Sequence, residues 1–383
     1  MSAVGGCWPT AEQALLLRAI LLARPEAAAA WAAWRRAVDL DDLDPASVRL
    51  LPQLFRRLQQ DGVRDPLMGR LRGIYRHTWY ANQLRLQDLA DLVRALGARG
   101  IEAMLLKGAA LVVGWYDDAG VRPMDDADLL VRTPAAAPAA EALAALGWRP
   151  AIPMTVSHRT AGHAMDFYDA RGRRLDLHWH LLPECCWPDA DAAVWARSRP
   201  AAVRGVPVRV LGPADQLFHV ATHGVRWEPV PPVRWIPDAA QVLGRGDAVD
   251  WDGLVAEAAR RQMTAPVHDA LAHLRRDFGA PVPERVTRAL AATRLTRGQR
   301  WEYRLRTRPG HPLLGRVPEH WLRYRRLRRR GARVGFAAYL QVVLVCDGLW
   351  GLARRALLRH RWRRREQEAV ARYAEGLHRD PAP

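Results

Sequence analysis

Over the first hundred residues apolar side chains recur at intervals of three and four, the spacing of helices that bury one stripe. Ala11 to Leu22 carries Ala14, Leu15, Leu17, Ile20 and Leu21; Ala27 to Val38 carries Trp31 and Trp34; Ile74 to Leu96 carries Leu84, Leu86, Leu89, Leu92, Val93 and Leu96. Pro25, Pro45 and Pro66 fall where loops or first helical turns are expected, and Gly97 and Gly100 close the last helix. A helical region over residues 1–100 is predicted, covering the sheet formed by later residues.

From residue 101 the pattern mixes periods of two and of three to four. Glu102 to Leu106 reads as a first strand, followed by a helical turn and a loop with Asp117, Asp118 and Gly120. The run Arg122-Pro-Met-Asp-Asp-Ala-Asp-Leu-Leu-Val131 then reads as an acidic strand. Pro134 to Leu146 is a helix ended by Gly147, and Ala164–Tyr168 with Leu175–Trp179 forms a hairpin across the Gly-containing segment Asp169 to Arg174. A helix over Pro213 to His223 opens with Pro at its start and Asp215 in its first turn. The predicted class is α+β, a small mixed sheet flanked by helical regions. The expected division is a helical part over 1–100, an α/β core over 101–212, a helical substrate-side part over 213–283 and an Arg-rich helical part over 284–383.

In the last part Arg323–Arg333 and Arg354–Arg365 flank Val334–Ala353, an apolar run that contains Gln341 and Asp347. Its length approaches a bilayer span, but the acid within it and positive charge on both sides point to a buried or interfacial helix. A formal net charge of +18 favours polyanions, with nucleic acid or an anionic membrane surface as expected partners of this Arg-rich region. There is one lysine, Lys107, among 57 arginines. Four cysteines, Cys7, Cys185, Cys186 and Cys346, form no Cys-x-x-Cys, so a reducing cytosol with peripheral membrane contact as a variant is the expected location. Glu12 and Arg18 interrupt the apolar N-terminal run, and no secretory signal is expected.

The candidate chemistry lies around the acidic strand. Side chains alternate along a strand, so Asp126 and Asp128 share a face while Ala127 and Leu129 take the other. Adjacent carboxylates repel unless a cation sits between them, and hard oxygen ligands completed by substrate phosphates are the usual seat of Mg2+. Upstream, Gly108 allows close backbone approach at a helix start, where free N–H groups receive phosphate. Asp176 alternates with Leu175 and Leu177, which brings it across the sheet as a third acid; Asp166 on the partner strand is its rival. His178 shares the face of Asp176. His178 and His180 with Cys185 and Cys186 fit no structural zinc spacing, and His219 and His223, four apart on one helical face, lack the glutamate of a metalloprotease motif.

Leu106-Lys107-Gly108-Ala109-Ala110-Leu111, Tyr116, Arg122, Asp126-Ala-Asp128-Leu-Leu-Val131 and Leu177-His178-Trp179 together resemble the bacterial "nucleotidyltransferase family protein" branch of the DNA polymerase beta-like nucleotidyltransferase superfamily. The resemblance covers roughly residues 10 to 275. It implies a metal-dependent transferase that moves a nucleoside monophosphate from an NTP such as ATP to a hydroxyl or similar acceptor on an unidentified small molecule, peptide or protein, releasing pyrophosphate. Asp126, Asp128 and Asp176 would then be catalytic and would bind one or two Mg2+, with Mn2+ an alternative. Lys107, Gly108, Ala109 and Arg122 would receive the nucleotide phosphates. His178, His223, Trp235 and Asp238, the last two in a segment that also resembles the branch, are candidate substrate contacts; the alternatives are that His178 orients the acid, that His223 packs in the interior and that Trp235 is a core residue. This chain has Gly108-Ala109 where the superfamily usually has Gly-Ser or Gly-Gly, which removes a hydroxyl contact and leaves the backbone ones. That departure supports the alternative of a regulatory, non-catalytic protein that binds a polyanion through its arginines.

Overall fold

The computed structural model describes residues 5–246, 248–309 and 317–344. The helices α1 (Ala11–Leu21), α2 (Arg24–Ala37), α3 (Pro45–Val48), α4 (Leu51–Gln60) and α5 (Met68–Gly97) precede the first strand. Local signals set their ends: Thr10 and Gln13 form a reciprocal capping box at α1, and Pro25 and Pro45 stand in the first turns of α2 and α3. The expected tryptophan face of α2 is real, since Trp31 and Trp34 stack with ring centroids 5.7 Å apart and are both buried.

The sheet comprises β1 (Ala103–Leu105), β2 (Ala127–Val131), β3 (Arg149–Pro150), β4 (Ala164–Tyr168), β5 (Arg174–His178), β6 (Arg199–Val203) and β7 (Val206–Val210), in spatial order β3-β4-β5-β2-β1-β7-β6. β2 runs parallel to β5 and antiparallel to β1, and β1 runs parallel to β7. Between them lie α6 (Lys107–Gly114), α7 (Ala136–Ala145), α8 (Val156–Ala161) and α9 (Ala192–Arg197). After the sheet come α10 (Pro213–Gly224), α11 (Trp235–Gly244), α12 (Trp251–Arg260), α13 (Thr264–Phe278), α14 (Glu284–Ala292), α15 (Arg297–Arg306), α16 (Val317–Arg329) and α17 (Phe336–Leu344).

Alternation divides the core between the two sheet faces. Leu105, Leu129 and Leu177 pack with Leu89, Val93 and Leu96 of α5 and Leu143 of α7. Met104 and Leu130 point the other way, into the cluster that holds Leu217, Phe218 and Ala221 of α10. The acids of the β2–β5 pair share this second side, so their cover is helix α10, with α11 and α13 packed against it.

Two local readings shift. Strand pairing starts at Ala127, so Asp126 stands one residue before β2 rather than within it. The β6–β7 hairpin, whose strands apolar spacing alone does not separate, turns on Arg204 and Gly205 with φ of 51° and 77°. Two successive positive φ values are what a tight two-residue hairpin turn demands, and Gly205 supplies the second without steric cost.

The Arg323–Arg333 flank is not a uniformly solvated basic surface. Arg323 and Arg326 of α16 turn inward: Glu184, buried, accepts from Arg306 at 2.6 Å and from Arg323 at 2.7 Å, and Arg326 pairs with Glu302. Burying a carboxylate requires such partners, and the arginines hold Glu184 down at about 2 against the opposing effect of burial. Arg325, Arg328, Arg329 and Arg330 remain exposed. Of the apolar run Val334–Ala353, residues 345–353 lie outside the described residues, as do Cys346 and Arg354–Arg365. Among the described residues no helix is long and apolar enough to cross a membrane.

Candidate functional site

Strand register builds the site. Asp128 of β2 stands directly beside Asp176 of β5, and Leu130 beside His178, so two parallel strands deliver two carboxylates and an imidazole to one patch. Period-two alternation keeps Asp176 and His178 on the same face. The His178 Nε2 lies 3.2 Å from Asp128 Oδ1 and 3.0 Å from Asp176 Oδ2. From the start of α6, Lys107 reaches the same two oxygens, with Nζ 2.6 Å from Asp128 Oδ1 and 3.4 Å from Asp176 Oδ2. The Asp128 and His178 side chains are only 2% and 1% exposed, so these charges meet with little screening by water.

Their ionisation follows from that. Burial opposes the charge on each group, but Lys107 and His178 hold the Asp128 carboxyl below its usual range, and His178 and Lys107 hold Asp176 further below it. In return Asp176 and Asp128 overcome burial and raise His178 to about 9, and they raise Lys107 as well. Around this charged knot burial favours the neutral form of three further imidazoles. Burial, then the charge on His178, lowers His163 to about 3; burial, then Lys107, lowers His219 to about 3; and burial, then His219 and Lys107, lowers His223 well below its ordinary value.

Among the described residues, Asp128, Asp176 and His178 are the group whose ligand atoms all lie within 4.8 Å of one another, close enough to share a metal ion. Two carboxylate oxygens and one imidazole nitrogen, already turned toward a common cation, suit a divalent ion. His178, expected as a substrate contact, joins this group. Asp126, expected within it, instead lies 3.4 Å from Arg174, and burial followed by the charge of Asp128 raises its carboxyl. Asp166 is opposite Asp176 in the β4–β5 register but is bound by Arg174 at 3.0 Å. The Cys185 and Cys186 thiols are buried and lie outside the group, and His180 pairs with Asp191 at 3.1 Å.

The glycine-marked helix start flanks the acids. Ala110 makes the first intrahelical bond of α6, to the Leu106 carbonyl, which leaves the N–H groups before it without an intrahelical partner. A Cβ on Gly108 would stand 3.1 Å from Met124 Cγ and 3.2 Å from Arg122 Nη1, so glycine is what admits Arg122 beside this turn. Ala109 is buried in the same turn. Arg122 itself forms a two-pronged bond to Asp238, 3.0 Å from Nε and 2.9 Å from Nη2, and gives Nη1 to the Pro123 carbonyl at 2.8 Å. Asp238 also accepts from the Tyr116 hydroxyl at 3.0 Å. The structure thus uses Asp238 to fix Arg122. Trp235 is 5% exposed, and a Cβ on Gly224 would meet its ring at 2.1 Å, so its indole is packed in the core rather than offered to a base.

Asn82, a neighbour of the loop before β2, is not revealed by apolar spacing. Buried in α5, it donates to the Ala119 and Arg122 carbonyls at 2.6 and 2.8 Å and accepts from the Met124 N–H at 3.3 Å, clamping the loop that leads into β2. Its signal is a lone amide on an otherwise apolar helical stripe with Leu86 and Leu89. His163, whose ring lies 5.5 Å from that of His178, carries no comparable signal.

The architecture is that of an α+β protein in which two carboxylates and an imidazole, close enough to share a metal ion, stand beside a glycine-marked helix start on a mixed sheet. Residues 46–279 match the family described as uncharacterised nucleotidyltransferases, and the chain belongs to that family. No curated protein matches the chain. Among solved structures it is similar to ANT(2")-Ia in complex with adenylyl-2"-tobramycin, with 15% identity and a TM-score of 0.32 over 47% of this chain and 97% of that one. It is also similar to an antigenic nucleotidyltransferase-like protein from Paracoccidioides brasiliensis, with 15% identity and a TM-score of 0.36 over 55% of this chain and 93% of that one.

Proposed function

We propose that the protein is a divalent-cation-dependent nucleotidyltransferase that moves a nucleoside monophosphate from an NTP to an acceptor hydroxyl and releases pyrophosphate. The observation that carries this reading is the in-register pair Asp128 and Asp176, with His178 within reach of both. These three residues would hold the ion, with Asp126 beside them, and the imidazole in the set favours Mn2+ over Mg2+. When bound, a divalent ion neutralises phosphate charge and polarises the phosphoryl oxygens. The chain's own residues do the rest. The N–H groups of Gly108 and Ala109 at the start of α6 would receive the phosphates, with Lys107 as a mobile cation near them. Arg122, fixed by Asp238 and Tyr116, sets a permanent positive charge next to that turn. Helix α10 roofs the acids with neutral His219 and His223, which keeps competing charge away from them.

The test is isothermal calorimetry with Mn2+ and Mg2+, with and without each NTP, paired with pyrophosphate release in the presence of a mixture of hydroxyl acceptors. Metal-dependent nucleotide binding that disappears in Asp128→Asn supports the reading. Equal nucleotide affinity in chelator and in Mn2+, or unchanged pyrophosphate release in Asp128→Asn, ends it.

A further inference from the structure

Lys107 is the single lysine of a chain with 57 arginines, and its ammonium touches the carboxylates that define the proposed site. Lys107 Nζ and His178 Nε2 both address Asp128 Oδ1 and Asp176 Oδ2, so the oxygens a metal ion would share are already bridged by a side-chain cation. The Lys107 ammonium is a compact point charge on a flexible stem, unlike the broad planar fork of a guanidinium. The position is also costly to maintain: Lys107 has φ of 45°, in the left-handed region that a non-glycine residue rarely occupies. The side chain has a way out, being 29% exposed while that of Asp128 is 2% exposed. It sits at the first residue of α6, next to the Gly108 turn.

Resting on the nucleotidyltransferase reading above, we propose that Lys107 is a resident counter-ion of Asp128 and Asp176, displaced when a divalent cation binds and thereby released to the nucleotide's triphosphate. Without an ion, Lys107 keeps two buried carboxylates from repelling each other. With an ion in place it is repelled by the new positive charge and loses its acceptors, and the nearest anion for it is a phosphate at the α6 start. Metal and nucleotide then bind in a coupled fashion, since each favours the same position of one side chain.

Two readouts test this without assaying turnover. The first is acetylation of Lys107 by N-hydroxysuccinimidyl acetate, quantified by mass spectrometry of its peptide, in chelator and in saturating Mn2+. Because no other lysine competes, the expected rise of about tenfold on adding Mn2+ is read at one residue. The second is calorimetric titration of Mn2+ into wild type and Lys107→Met; removing the competing ammonium should tighten Mn2+ binding about tenfold, which corresponds to roughly 1.4 kcal/mol. If Mn2+ binds the wild type while Lys107 acetylation stays constant, or if Lys107→Met binds Mn2+ no more tightly, the counter-ion proposal is overturned and the metal-dependent reading stands. If Mn2+ binds neither protein, both are overturned. Should Lys107→Met fail to fold, the acetylation arm on wild type still decides.

Discussion

In chelator, the stability of the protein should fall as pH rises from 6.5 to 9.5, and replacing His178 by Asn should remove most of that fall. His178 is raised to about 9 in the fold by Asp176 and Asp128, against about 6.5 for an exposed imidazole. A group whose folded value lies above its unfolded one stabilises the native state in its protonated form. That contribution is complete below pH ~6.5 and is lost as pH climbs through about 9. A difference of about 2.5 units corresponds to ~3 kcal/mol, and with the His178 side chain only 1% exposed, solvent screening removes little of it. For a 383-residue chain, an unfolding entropy of roughly 2.1 cal/mol/K per residue converts this into a fall in Tm of about 4 °C. Scanning calorimetry of wild type and His178→Asn in EDTA at half-unit pH steps measures it, the variant serving to subtract every other group that titrates in the window. A wild-type curve no steeper than that of His178→Asn would refute the charge assignment at the site.

Three further outcomes rest on buried contacts. Asp238→Ala leaves the Arg122 guanidinium, 11% exposed, without its carboxylate and should cost ~3–5 kcal/mol in urea unfolding; a loss under about 1 kcal/mol would mean that the pair is not buried in solution. Gly108→Ala introduces a Cβ 3.1 Å from Met124 and 3.2 Å from Arg122, and should lower stability by ~1 kcal/mol while weakening Mn2+–nucleotide binding, read by calorimetry; unchanged affinity would show that Arg122 takes no part. Glu184→Ala removes the carboxylate that Arg306 and Arg323 share, although Arg323 keeps Glu319 and Glu302, so limited trypsin digestion should free fragments of α15 and α16 sooner than in wild type, whereas identical digestion patterns would show that Glu184 does not fasten them.

Much of this is legible in the chain. Helices α1, α2, α5 and α10 and the β4–β5 hairpin come from apolar spacing with proline and glycine punctuation, which are local properties. Asp128 and Asp176 can be nominated together because each alternates with leucines that must be buried, so their side chains have to face the other way. That His178 stands within reach of both Asp128 and Asp176, while Asp126 stands one residue before β2, cannot be read, because it depends on where pairing of β2 begins and on which strand lies beside it. Nor can the inward turn of Arg323 and Arg326, since an arginine run looks the same whether it meets water or buried glutamates. The sequence by itself determined the elements and the face each residue takes, because periodicity is fixed within a few residues of chain. Only the tertiary structure decided which charges meet, because ion pairing falls off over a few ångströms and the partners, such as Lys107 and Asp176, stand far apart in the chain.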